Sequence, residues 1–235
     1  MLKAFSGYVR RQESAPARFL YRVAKSVLGF NVPVIRPLHG ALYYLHIGIV
    51  VGLRWVKQKF YVEPLFKAVC ASCGPGLIID NAMPLVEGAL TLHLGRDVKI
   101  SGENSFVAAA IFPEPARLSI GDGTMIGGQT AIYVARSVSI GRNCLIARRV
   151  MISDTYGHPI APEKRHGKVG PEEVKDVIID DNVWIGNGAV VSPGVHIGSG
   201  SIVGANAVVT QDVPKNAVVM GSPARVVRLM AQDQA

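Results

Sequence analysis

Few side chains in this 235-residue sequence could move a proton or bind a metal near neutral pH: six histidines and three cysteines. Cys70 and Cys73 form a CxxC, but no second pair completes a zinc site, and Cys144 stands apart. Reduced, buried thiols of a cytosolic protein account for all three. The histidines are His39, His46, His93, His158, His166 and His196, and none lies in an HxxxxH ligand pair. His158 and His166 share one polar, Pro/Gly-rich stretch that begins Ser153-Asp154-Thr155-Tyr156-Gly157-His158-Pro159-Ile160. An imidazole is the side chain that changes charge near pH 7. An isolated histidine is more often structural than chemical, so the case for His158 depends on what holds it. Asp154 either orients the loop or His158, or caps a turn.

What holds it is a repeat. Ile179, Ile185, Val191, Ile197, Val203 and Val209 recur every sixth residue, with Asp180, Gly186, Ser192, Gly198, Gly204 and Thr210 behind them. On a helix six steps advance roughly 240°, which scatters these side chains around the whole barrel. Six is even, so strand alternation keeps all of them on one side. A coil of three short strands then stacks Ile179 on Ile197, Ile185 on Val203 and Val191 on Val209, the pattern of a parallel β-helix. Similar hexapeptides run from Ile120 through Ile126 and Ile132, slip by two residues, and resume at Ile140, Ile146 and Ile152. Earlier coils are irregular, beginning near Gly76. Residues 153–177 interrupt the coil, and a 25-residue excursion from a regular solenoid is usually functional.

Charge divides the chain differently. Residues 1–60 carry ten Lys/Arg against Glu13, a net of +9, while the remainder is close to neutral. With no nucleic-acid-binding motif present, the basic segment points to an anionic surface. Phe19, Leu20, Val23, Val27 and Leu28 have helical spacing, and Leu38–Leu53 is an uncharged run of sixteen with the row Leu38, Leu42, Leu45, Ile49 and Leu53. Sixteen residues fall short of a spanning helix. With Arg54, Lys57 and Lys59 following, and Trp55 and Tyr61 as interfacial aromatics, the expectation is a membrane-surface element at the cytoplasmic face of the inner membrane.

Three motifs in order, Gly157-His158-Pro159, Trp184-Ile185-Gly186, and Val213 to Arg225 ending Gly221-Ser222-Pro223-Ala224-Arg225, closely resemble the hexapeptide-repeat acyltransferases of the maltose, galactoside and xenobiotic O-acetyltransferase group over roughly residues 120–228. Residues 1–75 fall outside those enzymes and resemble acyltransferases of surface-polysaccharide synthesis more weakly. The resemblance implies an all-β fold, a left-handed parallel β-helix over 76–223; the helical spacing before it gives a helical extension over 1–75, and Ala224–Met230 after Pro223 reads as a short C-terminal helix in a terminal segment over 224–235. It implies a homotrimer with sites between subunits, acetyl-CoA as co-substrate, no metal, and a saccharide or lipid-linked glycan acceptor. It assigns His158 as general base and Asn187 as the oxyanion donor. Trp184, Ala205 and Thr210 match positions along the CoA arm, and Arg225 and Arg228 match positions near its phosphates. Gln211 stands where a basic residue usually follows the threonine. Gly127-Gly128-Gln129 occupies the acceptor region, leaving Gln129, with Asp154 and His166, as acceptor contacts. N-acetylation of an amino sugar and a non-catalytic scaffold are the alternatives. A β-helical carbonic anhydrase would need three zinc histidines that the spacing does not supply.

Overall fold

The computed structural model describes residues 14–230. The first thirteen residues, with Lys3, Arg10, Arg11 and Glu13, and the tail 231–235 lie outside the described residues. Two compact units divide between Val51 and Gly52.

The N-terminal unit is helical. Helix α1, Ala15–Leu28, starts at the N-cap Ser14, whose side chain accepts from the Ala17 N–H, and ends at Gly29. Helix α2 runs from Arg36 to Lys57 and buries none of its residues. Its row Leu38, Leu42, Leu45, Ile49 and Leu53 is more than half exposed throughout. Among the described residues no helix is long and apolar enough to cross a membrane.

In the second unit, from Ser72 onward, the chain is a parallel coil closed by three sheets, here A, B and C. Sheet A begins at Ser72–Cys73, slightly ahead of the Gly76 start expected from sequence, and ends at His196–Ile197. Sheet B runs from Ile78–Asp80 to Ala217–Met220, and sheet C from Leu85–Glu87 to Val208–Val209. The expected stacks are present: Ile179 pairs with Ile197 in sheet A, Ile185 with Val203 in sheet B, and Val191 with Val209 in sheet C. All six side chains are 0–1% exposed. Burying each contributes about 1.5–3 kcal/mol relative to leaving it in water. Between repeats the chain turns through corners where a small residue is sterically required. A Cβ on Gly186 would stand 2.6 Å from the Ala205 backbone nitrogen in the next coil. The two-residue slip also has a place: it lengthens the strands Ala131–Val134 and Ser137–Ile140 on either side of the corner from sheet C to sheet A.

The ends of the coil differ from expectation. At the C-terminal end, Arg225–Leu229 is a strand, not a helix, and pairs antiparallel with Ala217–Met220. Gly221 at φ 97° lets the chain reverse, and the β-branched pair Val226-Val227 suits an extended edge better than a helical turn. A helix does cover the other end. A π-helical turn, Gln58–Val62, leads into α3, Glu63–Val69, and Val62 and Phe66 enter the core, with Phe66 6.5 Å from Phe106 between ring centroids.

Candidate active site

The excursion leaves sheet C after Met151–Ser153 and returns to sheet A at Val177–Ile179, nearly as the sequence indicated. Its two ends are tied at one point. Asp154 is fully buried, and its carboxylate accepts three backbone N–H bonds from the slipped corner: Ala135 at 2.6 Å, Arg136 at 2.7 Å and Ser137 at 2.9 Å. Burial pushes this carboxyl above its ordinary value, and the three amide donors pull against that. The Asp154 carbonyl meanwhile accepts from the Lys175 N–H at 2.9 Å, joining the start of the loop to its end. Arg136 reinforces the join. Its Nε donates to Asp176 at 2.6 Å, and its guanidinium lies 6.0 Å from the Phe112 ring centroid.

From that base the loop carries His158 outward. Ser153 Oγ donates to the Thr155 carbonyl, and the Gly157 N–H donates to Thr155 Oγ1, which fixes the tight turn before the histidine. Nδ1 of His158 lies 3.3 Å from the Arg165 carbonyl oxygen. A carbonyl can only accept, so Nδ1 is the donor, and in the neutral ring this leaves the lone pair on Nε2. The Arg165 strand of the loop is held in turn, since Arg165 Nη2 donates to the Ile160 carbonyl and the Ile160 N–H donates to Glu173 Oε1. This is the tautomer and orientation that a proton acceptor needs.

His158 lines a cavity of about 540 Å³ on the outer face of sheet C, walled by Val107, Ala109, Tyr133, Met151, Val190 and Pro193, with Ser153, Thr155 and Ser192 as polar points. A second cavity of about 410 Å³ lies beside it and shares Ala109, Thr155, Gly157 and His158. Tyr133, Tyr156, Ser192 and Lys168 were not singled out from sequence. Tyr133 could have been: it is the outward residue between buried Ile132 and Val134, in register with Ser153.

The other residues expected from sequence distribute as follows. Asn187 occupies the corner from sheet B to sheet C, where its Oδ1 accepts from the Arg148 N–H at 3.0 Å, leaving the Nδ2 donors as the unused half of the amide. Ala205 is on the same corner one coil on, beside Asn206, whose N–H donates to the Asn187 carbonyl. Thr210 follows Val209 directly, and Val209 accepts from the Ser192 N–H, so Thr210 lies one coil along from the His158 cavity. Arg225 opens the terminal strand next to Ala224, whose N–H donates to the Val208 carbonyl, and Arg228 is paired opposite Val218. Trp184 stands half exposed on the outer face of sheet B, between Leu145 and Ile202, and thus on a different face from His158. Gln129, at φ 62°, lines a separate cavity of about 330 Å³ with Asn81, Ser101, Glu103 and Arg148. His166 is exposed on the loop and is not among the residues lining any of these cavities.

Comparison with known proteins fits the coil. Residues 176–211 match the family described as bacterial transferase hexapeptide (six repeats), and residues 117–148 match the hexapeptide repeat of succinyl-transferase. The chain is 40% identical over 128 residues to the galactoside O-acetyltransferase of Escherichia coli (strain K12), an alignment covering 54% of this chain and 62% of that protein. It is 36% identical over 135 residues to the Lactococcus lactis galactoside O-acetyltransferase, covering 54% and 61%. The chain thus spans about three fifths of the length of these curated relatives. A solved galactoside acetyltransferase in complex with coenzyme A superposes with a TM-score of 0.50 at 26% identity, over 77% of this chain and 78% of that one. AntD, an N-acyltransferase from Bacillus cereus, superposes with a TM-score of 0.58 at 19% identity, over 74% and 92%, a likeness of fold. Residues 117–148 and 176–211 thus carry hexapeptide repeats, and over about half its length the chain is similar to hexapeptide-repeat acetyltransferases.

Proposed function

We propose that the protein transfers an acetyl group from acetyl-CoA to a saccharide hydroxyl, with His158 as general base. The observation that carries this is the His158 imidazole, proton on Nδ1 toward the Arg165 carbonyl and Nε2 free, set in a cavity on the outer face of sheet C. A sugar hydroxyl is a poor nucleophile. In this reading His158 Nε2 takes its proton as the oxygen attacks the thioester carbonyl carbon. The tetrahedral oxyanion is met by the Asn187 amide. Its collapse breaks the C–S bond, and the imidazolium returns the proton to the departing sulfur, giving an acetyl ester and free CoA. The donor arm would follow Ala205 and Thr210 along the coil to Ser192 and the cavity, with Arg225 and Arg228 near its phosphates. The 40% and 36% identity to two galactoside O-acetyltransferases, over 128 and 135 residues, supports the assignment. So does the bound coenzyme A named for the solved galactoside acetyltransferase.

The same reading makes the protein a trimer of left-handed coils. His158 and Trp184 lie on different faces of one coil, and a neighbouring chain would set its Trp184 face against the face that carries His158. Those two faces are also the apolar ones. Sheet B turns Met125, Leu145 and Trp184 outward and sheet C turns Leu85 and Met151 outward, whereas the matching row of sheet A is His93, Ser119, Ser139 and His196 with one isoleucine, Ile178. Closed cyclic packing of a B face on a neighbouring C face would bury them. Titration with CoA in a calorimeter, on a sample whose mass is read by sedimentation, tests both points. The expected result is a trimer that binds CoA; a CoA-binding, active monomer contradicts the shared site, and a trimer that ignores CoA leaves only a scaffold.

The acceptor is placed at the membrane by residues 1–60. Helix α1 exposes Phe19, Val23 and Val27 beside Arg18, Arg22 and Lys25, and α2 exposes its whole leucine row and ends in Arg54 and Lys57. Apolar insertion together with basic attraction is the two-part arrangement of an interfacial helix, and each base near an anionic leaflet contributes about 1 kcal/mol. A lipid-linked glycan at the cytoplasmic face of the inner membrane is the acceptor this implies. Full-length protein is expected in the membrane fraction, released by carbonate, and a chain starting at Glu63 in the supernatant. Full-length protein recovered wholly in the supernatant without detergent contradicts the membrane role.

A further inference from the structure

His158 is shared by two cavities of opposite character, and only one of them is accounted for by the donor path. The larger is walled mainly by apolar side chains and continues through Ser192 toward Thr210. The smaller, about 410 Å³, lies between two loops, Ala109–Ile111 on one side and Gly167–Val169 on the other, with Thr155 and Gly157 beneath. We propose that this smaller cavity is the acceptor subsite and that it selects saccharides bearing an anionic group, a phosphate or a carboxylate, through Lys168. The proposal rests on the acetyl-transfer reading of His158 and names the acceptor class for that same site.

Lys168 is the one charged side chain lining the cavity, and its ammonium enters none of the ion pairs formed among the described residues. No acid of the same loop lines the cavity, and three of them are engaged elsewhere. Asp154 is taken by three backbone amides, Asp176 by Arg136, and Glu173 Oε1 by the Ile160 N–H. A neutral sugar would therefore meet a cation that the protein itself does not balance. An anionic sugar would pair with it, and a charge-assisted bond to an oxyanion is among the stronger polar contacts available. The remaining walls are glycine, alanine and aliphatic, which leaves width for a sugar ring between the lysine and the imidazole. One acceptor can thus set a hydroxyl at His158 Nε2 and its anionic group at Lys168. The lysine supplies register, and the histidine takes the proton.

The test is equilibrium binding of glucose 1-phosphate, glucuronate and methyl glucoside, at millimolar concentration, to the full-length protein and to Lys168→Gln and Lys168→Arg. Lys168 is an exposed loop side chain, so both variants are expected to fold. The expected result is that at least one anion binds roughly tenfold more tightly than the neutral glucoside to the wild type. That advantage should vanish in Lys168→Gln and survive in Lys168→Arg, and whichever anion binds tells phosphate from carboxylate. Equal binding of all three, an advantage that Lys168→Gln leaves intact, or no binding of either anion overturns the proposal. A parallel CoA titration separates the two readings. Loss of CoA binding with the anion preference intact refutes the donor assignment alone; CoA binding without an anion preference refutes the subsite alone.

Discussion

Replacing His158 with alanine lowers turnover on the saccharide acceptor by roughly 10²–10⁴-fold, the usual worth of a general base. The fold and the affinity for CoA remain as they were. Both halves of that expectation come from geometry. The imidazole is exposed at the end of its loop and supports no core packing, so nothing collapses when it is removed. Its one bond among the described residues, Nδ1 to the Arg165 carbonyl, orients the ring and leaves Nε2 available, so the proton acceptor itself is lost. Initial rates of acetyl ester formation, with CoA affinity measured beside them, check this. A variant retaining near wild-type turnover would remove His158 from the chemistry.

Asp154→Ala should act through the loop and cost both stability and activity. Its carboxylate satisfies three amide donors at the one corner where the repeat slips by two residues. Leaving a buried donor unsatisfied costs about 1–3 kcal/mol, and Ala135, at 1% exposure, is the amide least able to find water instead. A total loss of about 3 kcal/mol is expected in chemical denaturation. Turnover should fall with it, because the carboxylate fastens the start of the loop that carries His158 to the Ala135–Ser137 corner. Asp154→Asn should rescue little. Ala135 donates to Oδ1 and Arg136 and Ser137 to Oδ2, so whichever way the amide turns, its NH2 group faces at least one N–H donor. A stable Asp154→Ala protein with unchanged unfolding would show that the carboxylate holds nothing.

Much of this arrangement could be read from residue order. A period of six admits few physical solutions, so the stacking of Ile179 on Ile197 and its two companions followed from arithmetic alone. The excursion was visible because the period failed there and then resumed in register. The ends were less legible. Arg225–Leu229 has spacing that serves a helix or a strand, and only the free edge beside Ala217–Met220 decides between them. Asp154 shows a different limit. A carboxylate four residues ahead of a histidine invites a chemical reading, but its partners are amides seventeen to nineteen residues back, brought close by one turn of the coil. Lys168 was invisible for the same reason, since its meaning depends on Ala109–Ile111, nearly sixty residues away, forming the facing wall.

The central claim is acetyl transfer to a saccharide hydroxyl, and its most direct measurement is product mass. The full-length protein is incubated with acetyl-CoA and a panel of neutral, anionic, amino and lipid-linked glycans, and each acceptor is weighed by mass spectrometry before and after. The account predicts an acetyl-sized gain on at least one glycan, labile to mild base as an ester is, matched by CoA release and absent with His158→Ala. A base-stable gain confined to amino sugars, or no gain on any glycan from a protein that binds CoA, would contradict it.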